Sequence, residues 1–200
     1  MDSVVKPCLY LASQSPRRRE LLQQIGVPHQ VVTASVEEIP LDHETAAEYV
    51  LRLARTKALA GLASVQASGL TIVPVLGADT VVVCDDHIME KPRDQAHAAA
   101  MLQRLSGRTH QVMTAVALAN ETQVAVELSV TDVVFRELDD DEISAYWHTG
   151  EPHDKAGGYG IQGLGAVFVQ QIRGSYTGVV GLPIEQTIIL LKEFSLPWWQ

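Results

Sequence analysis

Ser13-Gln14-Ser15-Pro16-Arg17-Arg18-Arg19 sets two hydroxyls and three guanidiniums within seven residues. The chemistry this suits is anion binding. Free N–H groups at a helix start, and the positive end of its dipole, attract a negative group. Arginine's planar fork matches phosphate oxygens. Three arginines in a first helical turn oppose the dipole, which a bound polyanion would offset. The plainer alternative is a surface helix with a basic first turn. Further along, Leu76-Gly77-Ala78-Asp79-Thr80 places a carboxylate among small residues at the end of an apolar run. In open α/β sheets that is where ligands bind. Asp79 is therefore a candidate general base or metal ligand, against the plainer reading of a turn aspartate.

Four other groupings could do related chemistry. In Met89-Glu90-Lys91-Pro92, proline holds the preceding residue extended and can aim the lysine at a fixed point. Lys57 follows Arg55 on a helical stretch, where both could equally be solvated. Glu37-Glu38 offers paired oxygen ligands for a hard divalent cation. The segment 157–165 carries five glycines in nine residues, which permits close backbone approach to a ligand, and Gln162 offers an amide donor and acceptor side by side.

The elements that must position these groups follow from periodicity. Residues 8–12 read as a buried strand and 16–25 as a helix, with Ser15 as N-cap, Pro16 at its first position and Gly26 closing it. A short strand is expected over 29–34. An amphipathic helix over 44–63 places Ala46, Val50, Leu53, Ala54, Ala58 and Leu62 near one face, and a loop over 64–71 follows. Residues 72–76 read as a strand and 80–84 continue extended to a turn at Asp85-Asp86. A helix over 93–105, capped by Asp94, ends at Gly107. Val-rich runs at 110–119 and 123–136 form an antiparallel hairpin turning near Asn120. A helix with an acidic start covers 139–148, a strand 166–172, and a closing helix 183–194. Helices interleaved with strands plus one hairpin predict an α/β fold with a mixed sheet.

Two hundred residues, 46% of them hydrophobic, suit one domain, residues 1–200, with a sizeable core. A net charge of -9 argues against a nucleic-acid partner. The cations are concentrated: residues 1–110 hold 11 Lys/Arg against 12 acids, and residues 111–200 hold 4 against 12. That suits a local anion pocket. Cys8 and Cys84 lie in apolar runs outside any Cys-x-x-Cys pair, as expected of buried free thiols in a reducing compartment. The first residues lack the layout of a signal peptide and no apolar run is of membrane-spanning length, so a cytoplasmic chain without a membrane partner is expected. The seven histidines show no His-Glu-x-x-His pattern, which disfavours a zinc enzyme.

Taken in order, the Ser-x-Ser-Pro-Arg-Arg start, Glu37-Glu38, Arg55-x-Lys57, Gly77-Ala78-Asp79-Thr80, Glu90-Lys91-Pro92, Leu105-Ser106-Gly107-x-Thr109-His110, Asp154-Lys155-Ala156-Gly157, Gly160-Ile161-Gln162-Gly163 and Gly181-Leu182-Pro183 resemble the Maf family of nucleoside triphosphate pyrophosphatases. The resemblance runs from about Leu9 to Phe194. It implies a Maf-like, inosine-triphosphatase-like, two-lobed α/β fold, with helices flanking a central mixed sheet and a cleft between lobes. It implies hydrolysis of a nucleoside triphosphate to monophosphate and pyrophosphate with a divalent metal, Mg²⁺ or Mn²⁺. Asp79 matches the proton acceptor. Arg18, Lys57 and Lys91 match phosphate-binding positions, Ser13 lies on the phosphate loop, and Glu38 with Asp79 matches the metal site. The family often forms dimers, which makes a homodimer an expectation. Arg17, Thr80 and Gln162 resemble the subgroup acting on dTTP and UTP, modified pyrimidine nucleotides being further candidates. The alternatives are 7-methyl-GTP pyrophosphatase and a nucleotide-sensing protein of septum inhibition. The chemistry of the bases supports the first. Uracil and thymine show an acceptor O4 beside a donor N3–H, which an amide matches in pairs, whereas guanine shows adjacent donors that suit a carboxylate.

Overall fold

Leu9–Ala12 (β1) is buried along its whole length, which makes it a central strand. The computed structural model describes residues 7–199. After β1 come α1 (Pro16–Gln24), β2 (His29–Val31), α2 (Ala46–Ala67), β3 (Val75–Cys84), β4 (His87–Met89), α3 (Gln95–Leu105), β5 (Thr109–Ala119), β6 (Val124–Phe135), α4 (Asp140–His148), β7 (Val169–Arg173), α5 (Tyr176–Val180) and α6 (Ile184–Glu193). Short 3-10 segments cover Glu151–Asp154, Ala156–Gly158 and Leu164–Phe168. The strands form one seven-stranded sheet in the order β2-β1-β3-β5-β6-β7, with β4 paired to β3. β1 runs parallel to β2 and β3, while the β3–β4 and β6–β7 pairs are antiparallel, so the sheet is mixed as expected.

The chain divides into two compact units. The first comprises Met1–Asp79, Thr114–Leu128 and Gly181–Gln200; the second comprises Thr80–Met113 and Ser129–Val180. In the first, Tyr10, Ala12, Val32, Leu62, Val65 and Val75 form a core between strands and α2. Gly77 lets β3 lie directly on α2. A Cβ at Gly77 would sit 2.4 Å from the Ala58 backbone nitrogen and 2.5 Å from the Ala54 carbonyl oxygen. In the second, Phe135, Tyr146, Tyr159 and Phe168 pack with Val82, Leu102, Leu105 and Ile143.

Local chemistry explains most element ends. Asp94 caps α3 by accepting from the His97 N–H at 2.7 Å, and Asp139 caps α4 in the same way from Glu142. Gly26 and Gly107 both take positive φ, which ends α1 and α3 cheaply. Several elements differ from expectation. α2 starts at Ala46 because Thr45 and Glu48 form a reciprocal capping box. It runs on to Ala67 because Val65 is buried, so 64–67 is helix and not loop. β3 starts at Val75, leaving residues 72–74 outside it, and passes unbroken through Asp79. β4 pairs with β3 across the Asp85-Asp86 turn, whose two positive φ angles suit a tight hairpin. β7 begins only at Val169, after a 3-10 segment, and α5 precedes α6. β2 spans three residues, not six. Cys84 is buried, whereas Cys8 lies half-buried just ahead of β1; both are free thiols.

Candidate active site

β1 ends at Ala12, Ser13 follows it, and the chain enters α1 with Pro16 in its first turn. Ser15 occupies the N-cap position, but its side chain makes no capping bond. The hydroxyl that organises the turn is that of Ser13, which accepts from the Ser15 N–H at 3.2 Å and from Arg18 Nη1 at 3.1 Å. Arg18 Nε donates to the Gly181 carbonyl at 2.8 Å, which fixes the guanidinium just ahead of α6. Desolvation lowers the pKa of Arg18, the negative charge of Asp79 opposes that shift, Arg17 adds to it, and Glu38 opposes it. An arginine remains protonated throughout.

Strand alternation places Asp79 beside its functional neighbour. Residues i and i+2 share a strand face, so Asp79 shares that of Gly77, which abuts Ala54 and Ala58 of α2. Lys57 stands next to Ala58, and its Nζ lies 2.7 Å from Asp79 Oδ1 and 2.5 Å from Glu38 Oε1. Asp79 is 7% exposed. Glu38 comes from the irregular stretch between β2 and α2. That stretch is tied to α2 by Tyr49 Oη, which donates to the Glu38 carbonyl at 3.2 Å, and by Arg52 Nη2, which donates to the Ile39 carbonyl at 3.0 Å. Arg52 in turn holds Glu44 through two hydrogen bonds of 2.5 and 2.6 Å.

The structure thus brings Ser13, Arg18, Glu38, Lys57 and Asp79 together, with Arg17 half-buried on the same helical turn as Arg18. Asp79 is a strand residue held by a lysine, not a turn aspartate. Lys57 is mostly buried in an ion pair, whereas Arg55 is exposed. Glu37 is exposed and Glu38 alone of that pair meets Lys57.

The remaining expected residues belong to the second unit. Thr80 follows Asp79 on β3 and is half-buried. Lys91 is exposed beside the buried Pro92. Its strand end is pinned to the glycine segment, because the Gly157 N–H donates to the Glu90 carbonyl at 3.1 Å. Gly157 has φ of 73° and abuts Val82, which leaves little room for a side chain. Gln162 is exposed in a turn closed by the Gly163 N–H donating to the Gly160 carbonyl at 3.3 Å.

Sequence reasoning missed Tyr49, which holds Glu38, and Glu151, which holds the glycine segment. The signal for Tyr49 is its place on the α2 face eight residues before Lys57. Nothing local marks Glu151. Its carboxylate accepts from the backbone N–H groups of Leu164 at 2.7 Å and Gly165 at 3.0 Å and from Tyr146 Oη at 2.8 Å. Burial alone would raise its pKa, yet these donors and the nearby Lys155 charge leave it below the ordinary glutamate value. His110, known from the sequence only as the end of a motif, is buried with Nε2 2.8 Å from Tyr159 Oη.

The chain belongs to the Maf family: the description "Maf-like protein" matches residues 8–194. It is 58% identical over 192 residues to a protein of Saccharophagus degradans named dTTP/UTP pyrophosphatase, covering 96% of this chain and 91% of that one. It is 54% identical over 187 residues to a protein of the same name from Escherichia coli O157:H7, covering 94% and 93%. A Shigella flexneri relative, also 54% identical with the same coverage, is named nucleoside triphosphate pyrophosphatase. No helix among the described residues is long and apolar enough to cross a membrane.

Proposed function

We propose that this chain hydrolyses dTTP and UTP to the monophosphate and pyrophosphate. The observation that carries the chemistry is Lys57, whose ammonium is shared by the carboxylates of Asp79 and Glu38. The names of relatives at 54 and 58% identity supply the nucleotides.

A nucleoside triphosphate carries about four negative charges, and transfer at phosphorus rests on positioning and charge stabilisation. Arg17, Arg18 and Lys57 bring three cations against the two acids Glu38 and Asp79, and Lys91 is assigned a further phosphate contact. Ser13 and the N-terminus of α1 receive phosphate oxygens. When these oxygens recruit Lys57, the Asp79 carboxylate is released to take the proton of a water. That water attacks the α-phosphorus: an O–P bond forms, the bond from the α-phosphorus to the bridging oxygen breaks, and pyrophosphate departs with the electron pair on that oxygen, its charge stabilised by cationic side chains.

Glu38 and Asp79 suit a hard divalent ion, Mg²⁺ or Mn²⁺, because both present carboxylate oxygens to a single cationic centre, Lys57 Nζ. Among the described residues no group of three His, Cys, Asp or Glu gathers around a metal-sized site. Mg²⁺ is commonly held in this way, by one or two carboxylates with substrate phosphates and water completing the shell. Such an ion supplies charge neutralisation at the phosphate oxygens. Base choice is assigned to Gln162, with Arg17 and Thr80 in support, since its amide can pair with O4 and N3–H of a pyrimidine. The free thiols support a reducing, cytoplasmic location, and family resemblance supports a homodimer.

Hydrolysis in ¹⁸O-water tests the bond cleaved. Label is expected in the monophosphate; label found only in orthophosphate refutes attack at the α-phosphorus.

A further inference from the structure

The glycines of Gly160-Ile161-Gln162-Gly163 were expected to admit a ligand. In the structure the group that occupies their side-chain space is a carboxylate of this chain. A Cβ at Gly163 would lie 2.2 Å from Glu151 Oε2, and one at Gly160 would lie 2.8 Å from Glu151 Oε1. These two glycines are the corners of the turn that carries Gln162. Glu151 also binds the chain on the far side of that turn through the N–H groups of Leu164 and Gly165. On the near side it acts through Tyr146, whose hydroxyl donates to Glu151 Oε1 at 2.8 Å and accepts from the Gly160 N–H at 3.0 Å. Backbone donors after Gln162 thus meet one half-buried carboxylate directly, and the donor before it reaches the same carboxylate through the Tyr146 hydroxyl. Lys155 anchors the clamp from behind, donating to the Glu151 carbonyl and to Asp154, both at 2.7 Å.

We propose that Glu151 is a positioning residue that fixes the turn carrying Gln162 and thereby sets nucleobase preference. This rests on the base-reading role of Gln162 given above. Bonds from backbone N–H to an ionised carboxylate are stronger than neutral ones, and a lost partner leaves a donor unpaired. A carboxylate bound by backbone, unlike one bound by a side-chain amine, cannot be re-partnered without opening the loop.

Glu151→Gln keeps the volume, removes the charge and turns an NH₂ toward backbone donors. Its expected effects are faster amide hydrogen exchange at Leu164 and Gly165, by about tenfold or more, and a rise of similar size in KM for dTTP and UTP. The preference for dTTP over GTP, as a kcat/KM ratio, falls by about the same factor while kcat changes little. Tyr146→Phe should move each readout the same way by less, and it decides the matter should Glu151→Gln not fold. Unchanged exchange at Leu164 and Gly165 in a folded variant overturns the proposal. So does faster exchange with an intact dTTP-over-GTP preference. Gln162→Ala assayed alongside separates the two ideas: lost preference there, with Glu151→Gln unchanged, leaves Gln162 as the reader and removes Glu151.

Discussion

Two regions of this molecule are organised around a glutamate or aspartate, and they use it in opposite ways. Asp79 sits in a regular strand and meets a side-chain amine, Lys57, which Glu38 also holds. Glu151 sits at the start of a 3-10 segment and meets backbone N–H groups of an irregular loop. A side-chain ion pair can exchange partners when a polyanion arrives, with the backbone left in place. A carboxylate that satisfies backbone donors cannot leave without exposing them. The first arrangement suits chemistry and the second suits holding a shape.

Chelation and mutation sharpen that contrast, in descending order of expected effect. Excess EDTA should stop turnover, because Glu38 and Asp79 add negative charge to that of the phosphates, and a divalent cation held between them would offset both. Undiminished hydrolysis in chelator would remove Glu38 and Asp79 from any metal role. Asp79→Asn keeps the shape and the strand but loses the proposed proton acceptor, so kcat should fall by about 10²–10⁴ with a normal melting curve. A near-wild-type kcat would place Asp79 with Glu151 among the structural acids and erase the contrast.

Gln162→Glu tests the loop that Glu151 holds. A carboxylate cannot donate to O4 of a pyrimidine, so kcat/KM for dTTP and UTP should drop roughly 5- to 150-fold, the worth of one unmet buried polar group. Gain of 7-methyl-GTP activity is expected to need Arg17 and Thr80 changed as well. Equal factors for dTTP, UTP and 7-methyl-GTP would show that Gln162 does not read the base.

The smallest effect concerns an uncharged counterpart to both regions. Burial lowers the His110 imidazole from 6.5 to about 4. Between those values the unfolded chain binds a proton that the folded chain does not, so stability is complete above about pH 6.5 and declines as pH falls toward 4. The decline attributable to this group is at most about 3 kcal/mol. Tyr159, its hydrogen-bond partner, is itself raised by burial and stays neutral through that window. His110→Phe should flatten the acid limb of a denaturation-against-pH curve; an unchanged slope would assign that limb to other groups.

Much of the frame could be read from the chain because its signals are local. Pro16, Asp94, Gly26 and Gly107 mark helix ends by capping chemistry and positive φ, and the Val-rich runs around Asn120 mark a hairpin. The turn there is closed by the Asn120 side chain, which accepts from the N–H groups of Thr122 and Gln123 at 2.9 Å. Local signals misled where tertiary contacts took over. Ser64 suggested a loop, but the burial of Val65 carries α2 onward. For Asp79 a turn was only the plainer alternative, and the fold shows why it fails: Gly77 brings α2 against β3 and Lys57 supplies a partner inside the strand. The resemblance supplied Asp79, Lys57 and Glu38 as functional positions, while their shared geometry needed the fold. Glu151 was hidden for the same reason in stronger form: its partners are backbone groups thirteen and fourteen residues away, which no side-chain pattern records.

The most direct test of the central claim is a nucleotide panel. The purified chain is given dTTP, UTP, CTP, GTP and 7-methyl-GTP with Mg²⁺ or Mn²⁺, and monophosphate, pyrophosphate and orthophosphate are measured together. The account predicts the highest kcat/KM for dTTP and UTP, with monophosphate and pyrophosphate released in equal amounts. A higher kcat/KM for 7-methyl-GTP than for dTTP, or release of diphosphate and orthophosphate, would contradict it.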